Sequence, residues 1–100
     1  MRDVIFIGRK GCSSCYYALE TIVKPLMEKQ PDHISYHYEW DAVIERVNRR
    51  AEIKEIPLYV IENHGEEEFR VHGMLTYDDV KAIIECEMEV LTLDDVLNGL

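Results

Sequence analysis

The chain switches between two hydrophobic periods, and the switches mark out its elements. Val4-Ile5-Phe6-Ile7 is an unbroken apolar run, the pattern of a strand covered on both faces, and predicts a strand over 3–7. Gly8 to Gly11 reads as a loop. From Ser13 to about Lys29, Tyr16, Leu19, Ile22, Val23, Leu26 and Met27 recur at helical spacing. Pro25 is expected to kink that helix or end its regular part, and Gln30-Pro31-Asp32 stops it. His33 to Trp40 then alternates, with Ile34, Tyr36, Tyr38 and Trp40 on one side and Ser35, His37 and Glu39 on the other. That pattern predicts an edge strand in which Trp40 belongs to the core.

Asp41 is placed to cap a second helix over 42–51, with Val43, Ile44, Val47 and Ala51 inward. Lys54-Glu55-Ile56-Pro57 reads as a loop and 58–62 as a strand. Asn63-His64-Gly65 is a hairpin turn and 66–71 its returning strand, with Phe69 and Val71 facing one way and Glu68 and Arg70 the other. Gly73 breaks the pattern. Thr76, followed by Asp78 and Asp79, predicts a capped helix buried through Val80, Ile83 and Ile84. Continuing it would place Glu87 on the buried stripe, so a break is expected over 85–88. Thr92-Leu93-Asp94-Asp95 repeats the capping pattern and predicts a short last helix. The order β-α-β-α-β-β-α makes an α/β chain. Its first two strands are parallel across a helical crossover, and its last two form a hairpin.

A length of 100 residues predicts one domain over 1–100, with a core of about 3–86 and a tail over 87–100. The tail is apolar enough to dock on the domain or to pair two chains; a monomer is expected. No apolar run approaches the roughly 20 residues that span a bilayer, so no membrane partner is expected. Met1-Arg2-Asp3 leads into the first strand without a leader pattern, so the cytoplasm is the expected location. The net charge of -9 is uneven. Residues 1–30 carry five basic and three acidic side chains, and residues 31–100 carry six basic and 17 acidic. Phosphate binding needs clustered Lys and Arg, so nucleic acid is excluded as a partner.

Cys12 and Cys15 stand two residues apart between the first strand and the first helix. At this spacing they can close a small redox-active disulfide ring. Cys12 would sit at the helix start, where unpaired N–H groups and the helix dipole favour a thiolate. It is the expected nucleophile, and Cys15, one turn on, the expected resolving thiol. Ser13 and Ser14 keep the turn small and polar, and Lys10 and Arg9 are candidates for tuning the thiolate. The competing reading is a zinc half-site. Cys86, His33, His37, His64 and His72 would have to complete it, and none stands at paired ligand spacing, so no metal is expected.

The C-x-x-C at a strand–helix junction, Ile53-Lys54-Glu55-Ile56-Pro57, the hairpin with Asn63 and Gly65, and Val71-His72-Gly73 together resemble the thioredoxin/glutaredoxin superfamily. The form is that of a small glutaredoxin-like thioredoxin, over about 3–86. The resemblance implies a thioredoxin-like fold, a central four-stranded mixed sheet with helices on both faces. It also implies a thiol–disulfide oxidoreductase acting on disulfide-containing proteins, with no cofactor beyond the Cys12–Cys15 disulfide. The electron donor would be a thioredoxin-reductase-like flavoenzyme or glutathione. Pro57 would be a cis-proline facing the dithiol and Ile56 would offer its backbone to substrate. Gly11, Ser13, Ser14, His72 and Gly73 would complete the substrate-binding set. The departures are Gly11 in place of Trp, Ser13-Ser14 in place of Gly-Pro, and Phe6 in place of a buried Asp. Glu55-Ile56-Pro57 and Gly73-Met74-Leu75-Thr76 also depart from the glutathione-binding motifs, and Glu55 is a poor neighbour for a glutathione carboxylate. His72 is a candidate for tuning Cys12 near neutral pH, and Cys86 reads as a semi-buried bystander. Of Tyr16 and Tyr17, one is expected in the core and one beside the site.

Overall fold

A computed structural model describes residues 1–73 and 75–100. Met74, one of the departures from the glutathione-binding motifs, lies outside them. The fold is organised around β1 (Asp3–Ile7), which has a strand on each side. β2 (Ile34–His37) pairs with it in parallel, from Val4 opposite Ile34 to Ile7 opposite His37. β3 (Leu58–Asn63) pairs with it antiparallel, from Ile7 opposite Leu58 to Asp3 opposite Glu62. β4 (Glu66–His72) returns along β3, giving the sheet order β2-β1-β3-β4. His64 and Gly65 both take positive φ, 54° and 80°, as a two-residue hairpin turn requires for its twist to match the strands.

The unbroken apolar run of β1 is explained by what covers it. Val4 and Phe6 face one layer with Tyr59 and Ile61, and Ile5 and Ile7 face the other with Leu58 and Val60. The first layer holds α1 (Ser13–Ala18), a π-helical turn (Leu19–Val23), α2 (Lys24–Lys29) and α4 (Tyr77–Glu85). The second is α3 (Ala42–Arg50), which buries Ile44 and Val47.

Pro25 does not end the first helix. Its nitrogen has no hydrogen to donate, and its ring crowds the preceding turn. The chain widens just upstream into the π turn, where the Lys24 N–H reaches back to the Leu19 carbonyl, and the helix continues to Lys29. The stripe inferred from the spacing is correct at Leu19, Ile22, Val23 and Leu26, all buried, but not at Tyr16. Tyr16 and Tyr17 are 64% and 69% exposed, so neither enters the core.

β2 is shorter than the alternation suggests. It ends at His37, whose Nδ1 lies 2.6 Å from Asp41 Oδ2. The other Asp41 oxygen accepts the Ile44 N–H at 2.9 Å and caps α3. The chain therefore leaves the sheet to deliver that cap. Trp40, instead of joining the core, is 65% exposed. Ala51, expected inward, lies past the end of α3 and is exposed.

Both Thr caps form as reciprocal boxes, Thr76 with Asp79 and Thr92 with Asp95, and open α4 and α5 (Leu93–Leu97). α4 stops at Glu85. The tail docks on its own domain through Leu91 and Val96, both buried. Arg2 holds it there. It is only 2% exposed, pairs with Glu68, and donates to the carbonyls of Cys86 at 3.0 Å and Met88 at 2.7 Å. Glu68 also accepts the Leu91 N–H at 3.1 Å.

Candidate active site at the Cys12–Cys15 pair

The site sits where β1 ends. The Gly8 N–H is held by the His37 carbonyl at 3.1 Å, and the Cys12 N–H reaches the Arg9 carbonyl at 3.4 Å. Between them Gly11 takes φ 84°, the left-handed turn that lets the loop enter the helix. Cys12 is the N-cap of α1. Its sulfur accepts the Cys15 N–H at 3.2 Å and lies 3.4 Å from Ser14 Oγ. The two cysteines form a disulfide, with Cα atoms 5.2 Å apart. Cys12 is partly exposed, whereas Cys15 is 0% exposed. Gly11, Ser13 and Ser14 are exposed around them.

The second wall comes from β3. Because Ile7 pairs with Leu58, the residue before Leu58 stands at the same end of the sheet as Gly8. That residue is Pro57, buried and joined to Ile56 by a cis peptide bond. The third wall is the end of β4. The Gly73 N–H, at φ 64°, donates to the Pro57 carbonyl at 3.0 Å. His72 Nδ1 lies 3.0 Å from the same carbonyl, and Nε2 lies 3.2 Å from Glu55 Oε2. The topology thus gathers Cys12, Cys15, Gly11, Ser13, Ser14, Ile56, Pro57, His72 and Gly73 at one end of the sheet. Lys10 extends from this end as well, with Nζ 3.5 Å from Glu39. Cys86 is a free thiol, partly buried and bonded through its carbonyl to Arg2, at the opposite end of β1. Among the described residues no three His, Cys, Asp or Glu side chains are grouped to hold a metal ion.

Three residues of the site escape the sequence pattern. An added Cβ at Gly8 would stand 2.9 Å from Tyr38 Cε1, 3.0 Å from Cys15 Cβ and 3.2 Å from Cys15 Sγ. The buried sulfur therefore packs directly on the Gly8 backbone, with the Tyr38 ring beside it. Tyr38 also packs on Phe6, ring centroids 6.4 Å apart, and Phe6 on Tyr59 at 5.0 Å. Burial raises the Tyr38 phenol and pushes that of Tyr59 up to about 12, so this aromatic layer stays uncharged at neutral pH. The third residue is Trp40, exposed beside Gly8 and Arg9. The one signal for Gly8 is its place directly after an apolar strand. Tyr38 and Trp40 carry none, because their position depends on where β2 stops.

No protein-family model matches the sequence, and no curated protein matches it. Solved structures do. Thioredoxin-2 of the malaria parasite superposes with a TM-score of 0.65 and 16% identity, over 85% of this chain and 82% of its own. A mutant thioredoxin from Halobacterium salinarum gives a TM-score of 0.65 and 20% identity, over 91% of this chain and 78% of its own. Thioredoxin f2, solved in complex with ferredoxin:thioredoxin reductase, gives 0.62 and 20%, over 84% and 74%. The chain has the thioredoxin fold.

Proposed function

We propose that the protein is a thiol–disulfide oxidoreductase that reduces disulfides in protein substrates. The observation that carries this reading is the disulfide between the exposed N-cap Cys12 and the buried Cys15. In the reduced protein the Cys12 thiolate attacks a substrate disulfide. A Cys12–substrate bond forms, the substrate S–S bond breaks and one substrate thiolate leaves. The Cys15 thiol loses its proton and attacks the Cys12 sulfur. The second substrate thiolate leaves, and Cys12–Cys15 closes. Two electrons pass to the substrate, and a reductant restores the dithiol with two electrons and two protons.

The Cys15 N–H already points at the Cys12 sulfur, so the charge that develops on Cys12 meets a donor in place. Substrate backbone lies along Ile56 and Pro57, and the Gly73 and His72 bonds to the Pro57 carbonyl hold that wall. The thioredoxin f2 neighbour was solved with a ferredoxin-dependent reductase, which supports a protein reductase as the donor class; the flavoenzyme form of that donor rests on the resemblance alone. Glutathione is less suited, because the Glu55 carboxylate stands beside His72 at this wall.

Insulin reduction coupled to dithiothreitol tests the reaction. Cys12→Ser is expected to abolish it, and Cys15→Ser to accumulate a Cys12–substrate mixed disulfide. Unchanged activity in Cys12→Ser would sink the mechanism. Turnover with a flavoenzyme reductase against turnover with glutathione identifies the donor.

A further inference from the structure

An apolar opening borders the dithiol loop. It has a volume of about 310 Å³ and is lined by Ile44, Ile53, Ile56, Tyr38 and Trp40 beside Gly8 and Arg9. Trp40 is left 65% exposed there, and an exposed aromatic beside an apolar hollow marks a place where another surface docks. The groove is continuous with the site. Gly8 carries the Cys15 sulfur on its backbone, the Arg9 carbonyl holds the Cys12 N–H, and Ile56 precedes the cis-proline. A chain joined to Cys12 thus has this opening beside the loop that carries its point of attachment.

The charge at the groove selects the occupant. Of the described residues that line it, Arg9 alone is charged. Among the described residues Arg9 has no ion-pair partner, whereas Lys10 next to it faces Glu39. In a chain of net charge -9, that leaves an unmatched cation at an apolar mouth. We propose that the groove selects protein substrates in which an apolar side chain neighbours an Asp or Glu near the reactive cysteine. The apolar group packs on Trp40, and Arg9 takes the carboxylate. This deepens the oxidoreductase reading by naming the substrate sequence that it favours.

Trp40 is the only tryptophan, so its fluorescence reports the groove directly. The Cys12→Ser/Cys15→Ser protein removes the covalent chemistry and is titrated with three short cysteine-free peptides bearing Leu-Glu, Ala-Glu or Leu-Lys. The Leu-Glu peptide is expected to give a saturable blue shift of Trp40 emission. Leu-Lys in the peptide, or Arg9→Glu in the protein, is expected to weaken binding roughly fivefold or more. Ala-Glu is expected to bind more weakly than Leu-Glu. No saturable shift, or equal binding of all three peptides, overturns the proposal. Wild-type turnover of disulfide peptides with the same flanks separates the two readings. Binding without any turnover ends the redox reading and leaves the groove; turnover indifferent to the flanks, with unmoved emission, does the reverse.

Discussion

At the scale of single residues, the site depends on one missing side chain. Cys15 can lie against β1 because Gly8 has only hydrogens on its α-carbon. A methyl there would meet Cys15 Cβ at 3.0 Å, and Cys15 Cβ is fixed to α1 rather than free to swing. Gly8→Ala is expected to cost about 1–3 kcal/mol in urea unfolding; a change within about 0.5 kcal/mol would show that α1 yields at little cost. Burial also sets an order of reactivity. After reduction, iodoacetamide is expected to label Cys12 before Cys15, because one sulfur is partly open and the other fully covered. Peptide mapping that finds Cys15 labelled first would contradict this arrangement.

At the scale of elements, local signals are the ones that the sequence expresses well. Thr76 with Asp79 and Thr92 with Asp95 lie within one turn, so their caps are visible in four consecutive letters. The dithiol at the start of α1 is equally local. Tyr16 and Trp40 are misplaced for the opposite reason. Periodicity gives a face, but how far the face stays covered depends on what packs across it, and β2 stops when Asp41 is drawn into the α3 cap. Asp41→Ala is expected to cost about 1 kcal/mol through the loss of that cap, read as a lower urea midpoint. The Ile44 N–H bond, and then the His37 bond, hold the Asp41 carboxyl below its ordinary value. Its contribution is therefore present above the unfolded carboxylate range and fades as pH falls through the lowered value. The gap between wild type and Asp41→Ala should narrow on acidification; a constant gap would remove the carboxylate's charge from the account.

At the scale of the whole molecule, the parallel first pair, the hairpin and the doubly covered first strand follow from the sequence pattern, and the four-stranded sheet with helices on both faces from the family resemblance, whereas the clasp at the far end follows from neither. Nothing in the letters joins Arg2 to Glu68, 66 residues away, or predicts that an arginine so near the chain start is buried. The hydrogen bond from Arg2 keeps the Glu68 carboxyl below its ordinary value. Glu67 is also lowered: burial pushes it up, but Arg70 and Arg50 outweigh that. Glu68→Gln is expected to cost about 3 kcal/mol, because it leaves the Arg2 charge buried without its counter-charge. The loss should be largest near neutral pH and shrink as acid protonates Glu68 in the wild type. Faster amide exchange at Leu91, whose N–H is held by Glu68, should accompany it; unchanged exchange there would show that the tail is held elsewhere.

The central position of β1 bears on the proposed redox cycle. Both of its edges are occupied, one by β2 and one by β3, and the cysteine loop begins directly at its end. The proposed opening and closing of the Cys12–Cys15 bond therefore takes place on a strand that the sheet restrains along both edges. On the proposed reading the bond is what changes from cycle to cycle, and the doubly paired strand is the mount that aims it.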